Sequence, residues 1–416
     1  MRIRKRSFFE ILLPLIFLFF LGRNTSFIDP LHPTLLEWPL LFALFGYLFL
    51  NKKLLNYINR GWLVLLMVYI VWFLSTNFWS EVPLLSVIKS TLFAVVIITM
   101  ISAGSLWVVR FGHEKAINFL FLILLVAVIS NLIGLNSGSF HQSGMKISAG
   151  LSSNPNNFGF LLAIVSSIIL WNLYQTWGNR WYSLLWGLLL LIDIHGLLRS
   201  YSRSATAIFL CIIYFFLISL SGYKKMMIIV SVLFAMLMIV LLNPMVIVTL
   251  EQGIVTHVLK RADESSINTQ QMLYTRNKVW QKSYQQAVKG GWLGGGFYVT
   301  IGENDFSLSH PNAYGREKGN SQLAIMEETG IIGLSLCFLL VISFYWHALK
   351  YYRHLKPVRK KVAMGLVLGM ISGLLAESFV EAWWDSLGPE VFCFWAFIGV
   401  IFGMIYLWRV DISPKM

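Results

Sequence analysis

The chain has 416 residues, of which 57% are apolar, 12% are charged and 15% are aromatic. A soluble domain carries about twice that share of charge, so the composition excludes a soluble globular enzyme, a disordered chain and a disulfide-knit module. The formal charge of +14 would suggest nucleic acid in a soluble protein. Here much of the basic surplus sits in short segments between apolar runs, where it sets membrane orientation instead.

A bilayer span needs roughly 20 mostly apolar residues. The pattern predicts spans over 8–22, 34–50, 61–78, 85–108, 116–135, 156–174, 181–198, 203–221, 225–250, 321–348, 362–380 and 388–408. The fold class expected is therefore an all-α polytopic membrane protein of about twelve helices, one integral membrane domain over 1–416. The basic segment Met1–Arg6 before an apolar run resembles a signal peptide. No small-residue cleavage site follows it, so it reads as the first span. With the N-terminus inside, 20 of the 33 Lys and Arg fall in cytoplasmic segments and five in short outer ones. The other eight lie in one long segment, 251–320. The bias predicts cytoplasmic termini and an extracytoplasmic 251–320.

Loops of that length are usually functional or disordered. This one carries Trp280, Tyr284, Trp292 and Phe297, a Gly294–Gly296 turn and mixed charge. Residues 271–289 read as a helix with Leu273, Trp280, Tyr284, Ala287 and Val288 on one side. An ordered outer subdomain is expected. Cys211, Cys337 and Cys393 lie in apolar runs and read as small hydrophobes. No His pair has metal-ligand spacing, so neither metal nor cofactor is expected.

Polar groups at membrane depth default to function. Asp193, His195, Arg199 and Arg203 crowd the outer end of the seventh span and the turn into the eighth. They read either as a structural Asp–His or Asp–Arg pair with snorkelling arginines, or as an anion site. Glu377, Glu381 and Asp385 are spaced by four, which would place three acids on one helix face. Arg276 precedes Trp280 by four residues and suits either interfacial anchoring or phosphate recognition. The glycine run could turn backbone N–H groups toward an anion.

Three motifs, in order, carry a resemblance. GLSSNPNNFGF enters the sixth span. SYSRSATAI makes the seventh-to-eighth turn. The long outer segment begins TRNKVWQKSYQQA, passes through GWLGGG and closes with GNSQLAIMEETGIIGL. Together, over about 150–340, they resemble the O-antigen polymerase and ligase superfamily. The resemblance implies a metal-independent glycosyltransferase of the bacterial inner or plasma membrane, acting on a glycan carried by undecaprenyl diphosphate. It implies that Arg203 and Arg276 hold the diphosphate. Members often close the loop with a His-Asn pair, whereas Lys318-Gly319-Asn320-Ser321 stands here. His310, Lys318 or Glu317 would then take the polar role of the missing histidine. The Gly-Asn-Ser form favours a polysaccharide polymerase (capsule, exopolysaccharide or O-antigen) over a ligase. A flippase and a chain-length regulator are candidate partners, and no nucleic acid is expected. A polytopic transporter or flippase is the competing reading, although transport sites sit near the midplane and these polar groups cluster at the outer ends.

Overall fold

The computed structural model describes residues 8–23, 25, 28, 33–137, 139–142, 145–152, 154–200, 202–220, 279–302, 318–384 and 387–412. These residues form twelve helices and one short hairpin. In chain order the helices are α1 Phe8–Gly22, α2 Pro33–Leu50, α3 Arg60–Ser75, α4 Pro83–Phe111, α5 Phe121–Ser137, α6 Pro155–Gln175, α7 Arg180–Ser200, α8 Arg203–Leu220, α9 over 279–290, α10 Ser321–His354, α11 Val358–Glu377 and α12 Pro389–Ile412. Strands β1 Ser139–Gln142 and β2 Met145–Ser148 pair antiparallel between α5 and α6. Eight of the helices are long and apolar enough to cross a membrane. Eleven of the twelve expected spans coincide with described helices. The span 225–250 lies outside the described residues.

Glycine sets the two tightest helix pairs. α11 packs on α8 through Gly365, Gly369 and Gly373, which face Ser219, Ile212 and Ile208. α12 packs on α4 through Gly399 and Gly403, while Gly104 of α4 approaches the Ala396 carbonyl. Lipid gives helices no hydrophobic reason to associate, so close backbone approach through small residues supplies the packing energy. Around these pairs lies one continuous core, in which Trp62, Trp171, Trp395, Phe73 and Phe93 are fully buried. The three cysteines are buried and unbonded.

α10 is broken at Gly330, whose φ of 72° and ψ of −178° lie far from helical values. An unbroken helix would bond the Ile331 and Ile332 amides to the Glu327 and Glu328 carbonyls. Here the Ile331 and Ile332 N–H groups donate to the carbonyls of Gly291 (3.0 Å) and Trp292 (3.4 Å). The Glu327 and Glu328 carbonyls accept from Gly295 (2.8 Å) and Gly296 (3.0 Å). The indole of Trp72 donates to the Thr329 carbonyl at 2.9 Å. Segment 291–296 thus replaces the bonds that the break removes.

Two expectations need correction. The buried side of α9 is Ser283, Gln286, Ala287 and Gly290, whereas Tyr284 and Val288 are exposed. Gly290 lies against the backbone of Met326 and Glu327, so α9 meets α10 by its small residues and turns its bulk outward. The glycine run is not an open anion nest, because the Gly294 amide donates to the Gly290 carbonyl of α9 and the Gly295 and Gly296 amides to the Glu327 and Glu328 carbonyls of α10.

The break can be tested directly. Gly330→Ala forces a positive φ on a residue with a Cβ, costing about 1–2 kcal/mol. The added carbon would also fall 2.1 Å from the Trp292 carbonyl oxygen. The variant is expected to melt in detergent well below wild type, by at least ~2 kcal/mol. Wild-type stability would contradict the broken-helix geometry.

Candidate functional site at the meeting of three motifs

The three sequence motifs are joined by contact. In the first, Asn154 caps α6 by accepting from the Asn156 amide at 2.8 Å. One turn on, Gly159 lies directly against Ser200, Ser202 and Ala205 of the second motif, where any Cβ would collide. Ser202 accepts from the Ala205 amide at 3.4 Å and meets the Ser204 hydroxyl at 3.3 Å. Ser202 therefore caps α8, and Arg203 is its first helical residue, exposed at the positive end of the helix dipole.

Ser204 carries the chain of contacts onward. Its side chain stands beside the carboxyl of Glu377, the last residue of α11. The next residue, Ser378, accepts from the Ser321 amide at 2.9 Å through its carbonyl and from the Gln322 amide group at 2.7 Å through its hydroxyl. Asn320 caps α10 by accepting from Leu323 N (3.0 Å) and donates to the Phe379 carbonyl at 2.8 Å. The Ser321 hydroxyl donates to the Glu381 carbonyl at 2.9 Å and accepts from the amides of Trp383 and Trp384. Residues 378–384 are consequently spent on capping α10. The helix ends at Glu377, so Glu381 does not share a helix face with it. Asp385 lies outside the described residues.

Behind this cap sits a buried charge cluster. The Lys318 ammonium is ion-paired to Glu327 and lies 3.7 Å from Glu328. Both carboxylates are fully buried. Glu328 also accepts from the Tyr298 amide at 2.8 Å, and Glu327 from the Ile301 amide at 2.9 Å. Charge-assisted bonds of this kind are the strong ones in a low-dielectric interior. They tie the loop beyond the glycine run to α10. On its other side the loop is held by Thr76, whose hydroxyl accepts from Phe297 N at 3.1 Å, and by Glu81, which accepts from Gly302 N at 2.8 Å. Phe297 packs against both Phe73 and Phe93, which also touch each other, so the three rings form a triangle.

Gly319 has a steric reason. An added Cβ would fall 2.4 Å from Cδ1 of Trp280, and the Gly319 amide donates to Ser283 Oγ at 3.2 Å. α9 lies on this position, and a histidine side chain there would displace the indole.

The other candidates separate. Asp193 is buried in α7, and its Oδ2 has no hydrogen-bond partner among the described residues. His195 is exposed. Two residues apart on a helix they point about 200° apart, so they form no Asp–His pair. Arg199 is half-buried near the end of α7. Glu377 is buried with one carboxylate oxygen unpartnered among the described residues, and Glu381 and Glu390 are its electrostatic neighbours. Arg276, His310 and Glu317 lie outside the described residues. Sequence reasoning missed Glu327 and Glu328. An acid pair inside an apolar run, nine residues after a lysine, was the available signal.

Removing one partner from a buried ion cluster leaves uncompensated charge and costs about 3–5 kcal/mol. Lys318→Met is therefore expected to lose that much stability, read by thermal denaturation in detergent. Lys318→Met combined with Glu327→Gln and Glu328→Gln should recover most of it. A stable single variant would show that Lys318 does not hold the loop.

No protein-family model matches this chain, and no curated protein matches it.

Proposed function

We propose that the chain is a metal-independent membrane glycosyltransferase that polymerises undecaprenyl-diphosphate-linked oligosaccharide repeat units into a surface polysaccharide. The observation that carries this reading is the contact path from Gly159 through Ser202 and Ser204 to Glu377, Ser378 and Ser321. Three motifs that resemble those of the O-antigen polymerase and ligase superfamily are thereby continuous in space, at helix ends. On this reading that end faces out of a bacterial plasma membrane, with both termini cytoplasmic and 251–320 outside. Flippase and chain-length regulator are its candidate partners.

The proposed chemistry follows from the substrate. An acceptor hydroxyl attacks C1 of the donor sugar, the C1–O bond to diphosphate breaks, and its electron pair goes to the phosphate oxygens. Those oxygens need cations and N–H donors where charge develops. Arg203 supplies a planar guanidinium at the N-terminus of α8, where the helix dipole also favours an anion. Arg276 would be the second arginine. The hydroxyl proton needs an acceptor. Because Lys318 is engaged with Glu327 and Glu328, His310 is the leading candidate base and Glu317 the next.

The test uses proteoliposomes holding the full chain and undecaprenyl-diphosphate-linked repeat units extracted from a host lacking this protein. Wild-type protein should build a polymer ladder, unaffected by chelator. Arg203→Ala should lower the rate by ~10²–10³ with the protein level unchanged, and Arg203→Lys should restore little, since a point charge does not reproduce the guanidinium fork. Movement of repeat units across the bilayer without elongation would replace the reading with transport. Transfer of finished polymer to an acceptor, without elongation, would replace it with ligation.

A further inference from the structure

The opposite end of the bundle carries a second site that the reading above does not use. Where α10 and α12 finish and α3 begins, a cavity of about 440 Å³ is lined by Lys350, His347, Trp408 and Arg409, among others. A second cavity of about 410 Å³ shares Arg409 with it and adds Arg60. Three described carboxylates stand at this end, and each has a cation elsewhere. Glu10 pairs with Arg110 at 3.0 Å, Glu114 with Arg359 at 3.1 Å, and Asp411 with Lys360 at 3.3 Å. Arg60, Lys350 and Arg409 have no carboxylate partner among the described residues. Three cations therefore line two adjoining cavities, and no described carboxylate is paired with any of them.

The outer surface of α10 indicates what kind of anion fits. Phe338, Ile342 and Trp346 are 43%, 63% and 73% exposed and recur every four residues, so they form one outward stripe. The next position in that series is Lys350. An apolar stripe that ends on a cation matches a molecule with a hydrocarbon tail and an anionic head. Exposed Trp at a helix end also sits where headgroups meet hydrocarbon. A soluble phosphate would use the cations but leave the stripe without a role.

We propose that this pocket binds the headgroup phosphate of an anionic phospholipid, with Lys350, Arg409 and Arg60 around the phosphate and one acyl chain along Phe338, Ile342 and Trp346. The site is independent of the glycosyltransferase reading, so either can fail alone. Basic pockets between membrane helices hold anionic headgroups by this chemistry, each nearby cation contributing to the attraction.

The experiment delipidates the full-length protein in detergent and adds back phosphatidylglycerol or phosphatidylcholine, counting bound lipid by native mass spectrometry. Wild type should prefer phosphatidylglycerol by about tenfold or more. Lys350→Gln with Arg409→Gln should bring the preference within about twofold, whereas Arg180→Gln, an exposed cation elsewhere, should keep it. Both target side chains are exposed. The two single variants are run alongside and required to match the wild-type melting temperature in lipid-free detergent, so that lost preference reports the site rather than unfolding. Glycerol phosphate and inorganic phosphate at millimolar levels should fail to displace the lipid. An unchanged preference in the double variant would overturn the proposal, as would full displacement by inorganic phosphate.

Discussion

The constraint on which this end of the molecule depends is the pairing of backbone groups at the break in α10. A buried, unbonded amide or carbonyl costs free energy comparable to a lost hydrogen bond, and more in a membrane, where water cannot substitute. Gly330 releases two amides and two carbonyls, and segment 291–296 takes up all four. That requirement explains why glycines recur there. Gly294 and Gly296 have φ of 80° and 114°, and an added Cβ at Gly294 would collide with the Glu328 carbonyl. It also explains the surrounding clamps. The indoles of Trp72 and Trp79 donate to Thr329 and Gly294, and Lys318 with its two glutamates fastens the stretch beyond.

From this clamp the geometry spreads to α8 and α11. α11 lies close on α8 because Gly365, Gly369 and Gly373 allow it, and that closeness brings Ser204 to Glu377. Ending α11 there frees residues 378–384 to cap α10. Ser202, Arg203 and Ser204 thus have divided labour: one hydroxyl caps α8, the other reaches α11, and the guanidinium between them is left at the exposed helix end. Charge is sorted along the same axis. The cations Arg60, Lys350 and Arg409, without a carboxylate partner among the described residues, stand at one end, and the buried acids Glu327, Glu328 and Glu377 lie toward the other.

Hydropathy made the helices legible, since eleven expected spans fall on helices and apolar length is a local property. What remained hidden was tertiary. The break at Gly330 sits inside GIIGL, which scores as uninterrupted span, and only the partner loop makes it affordable. Glu377, Glu381 and Asp385 keep a four-residue spacing, yet α11 stops because the following backbone is needed by Ser321 and Asn320. α9 shows the limit of reading a helix face from bulk. Its small residues are inside because α10 comes so near, as at Gly290, and Tyr284 is left exposed. Gly319 looked like a lost histidine, but Trp280, 39 residues earlier in sequence, occupies the space.

The most direct measurement of the central claim is backbone hydrogen exchange, followed by proteolysis and mass spectrometry on the full chain in detergent. Peptides covering 291–296 and 328–333 should exchange as slowly as the helical peptide 321–329, because the Gly295, Gly296, Ile331 and Ile332 amides donate to carbonyls across the break. Exchange of 291–296 at the rate of free peptide, with 321–329 still protected, would show that the glycine segment does not complete α10, and the account built on it would fail.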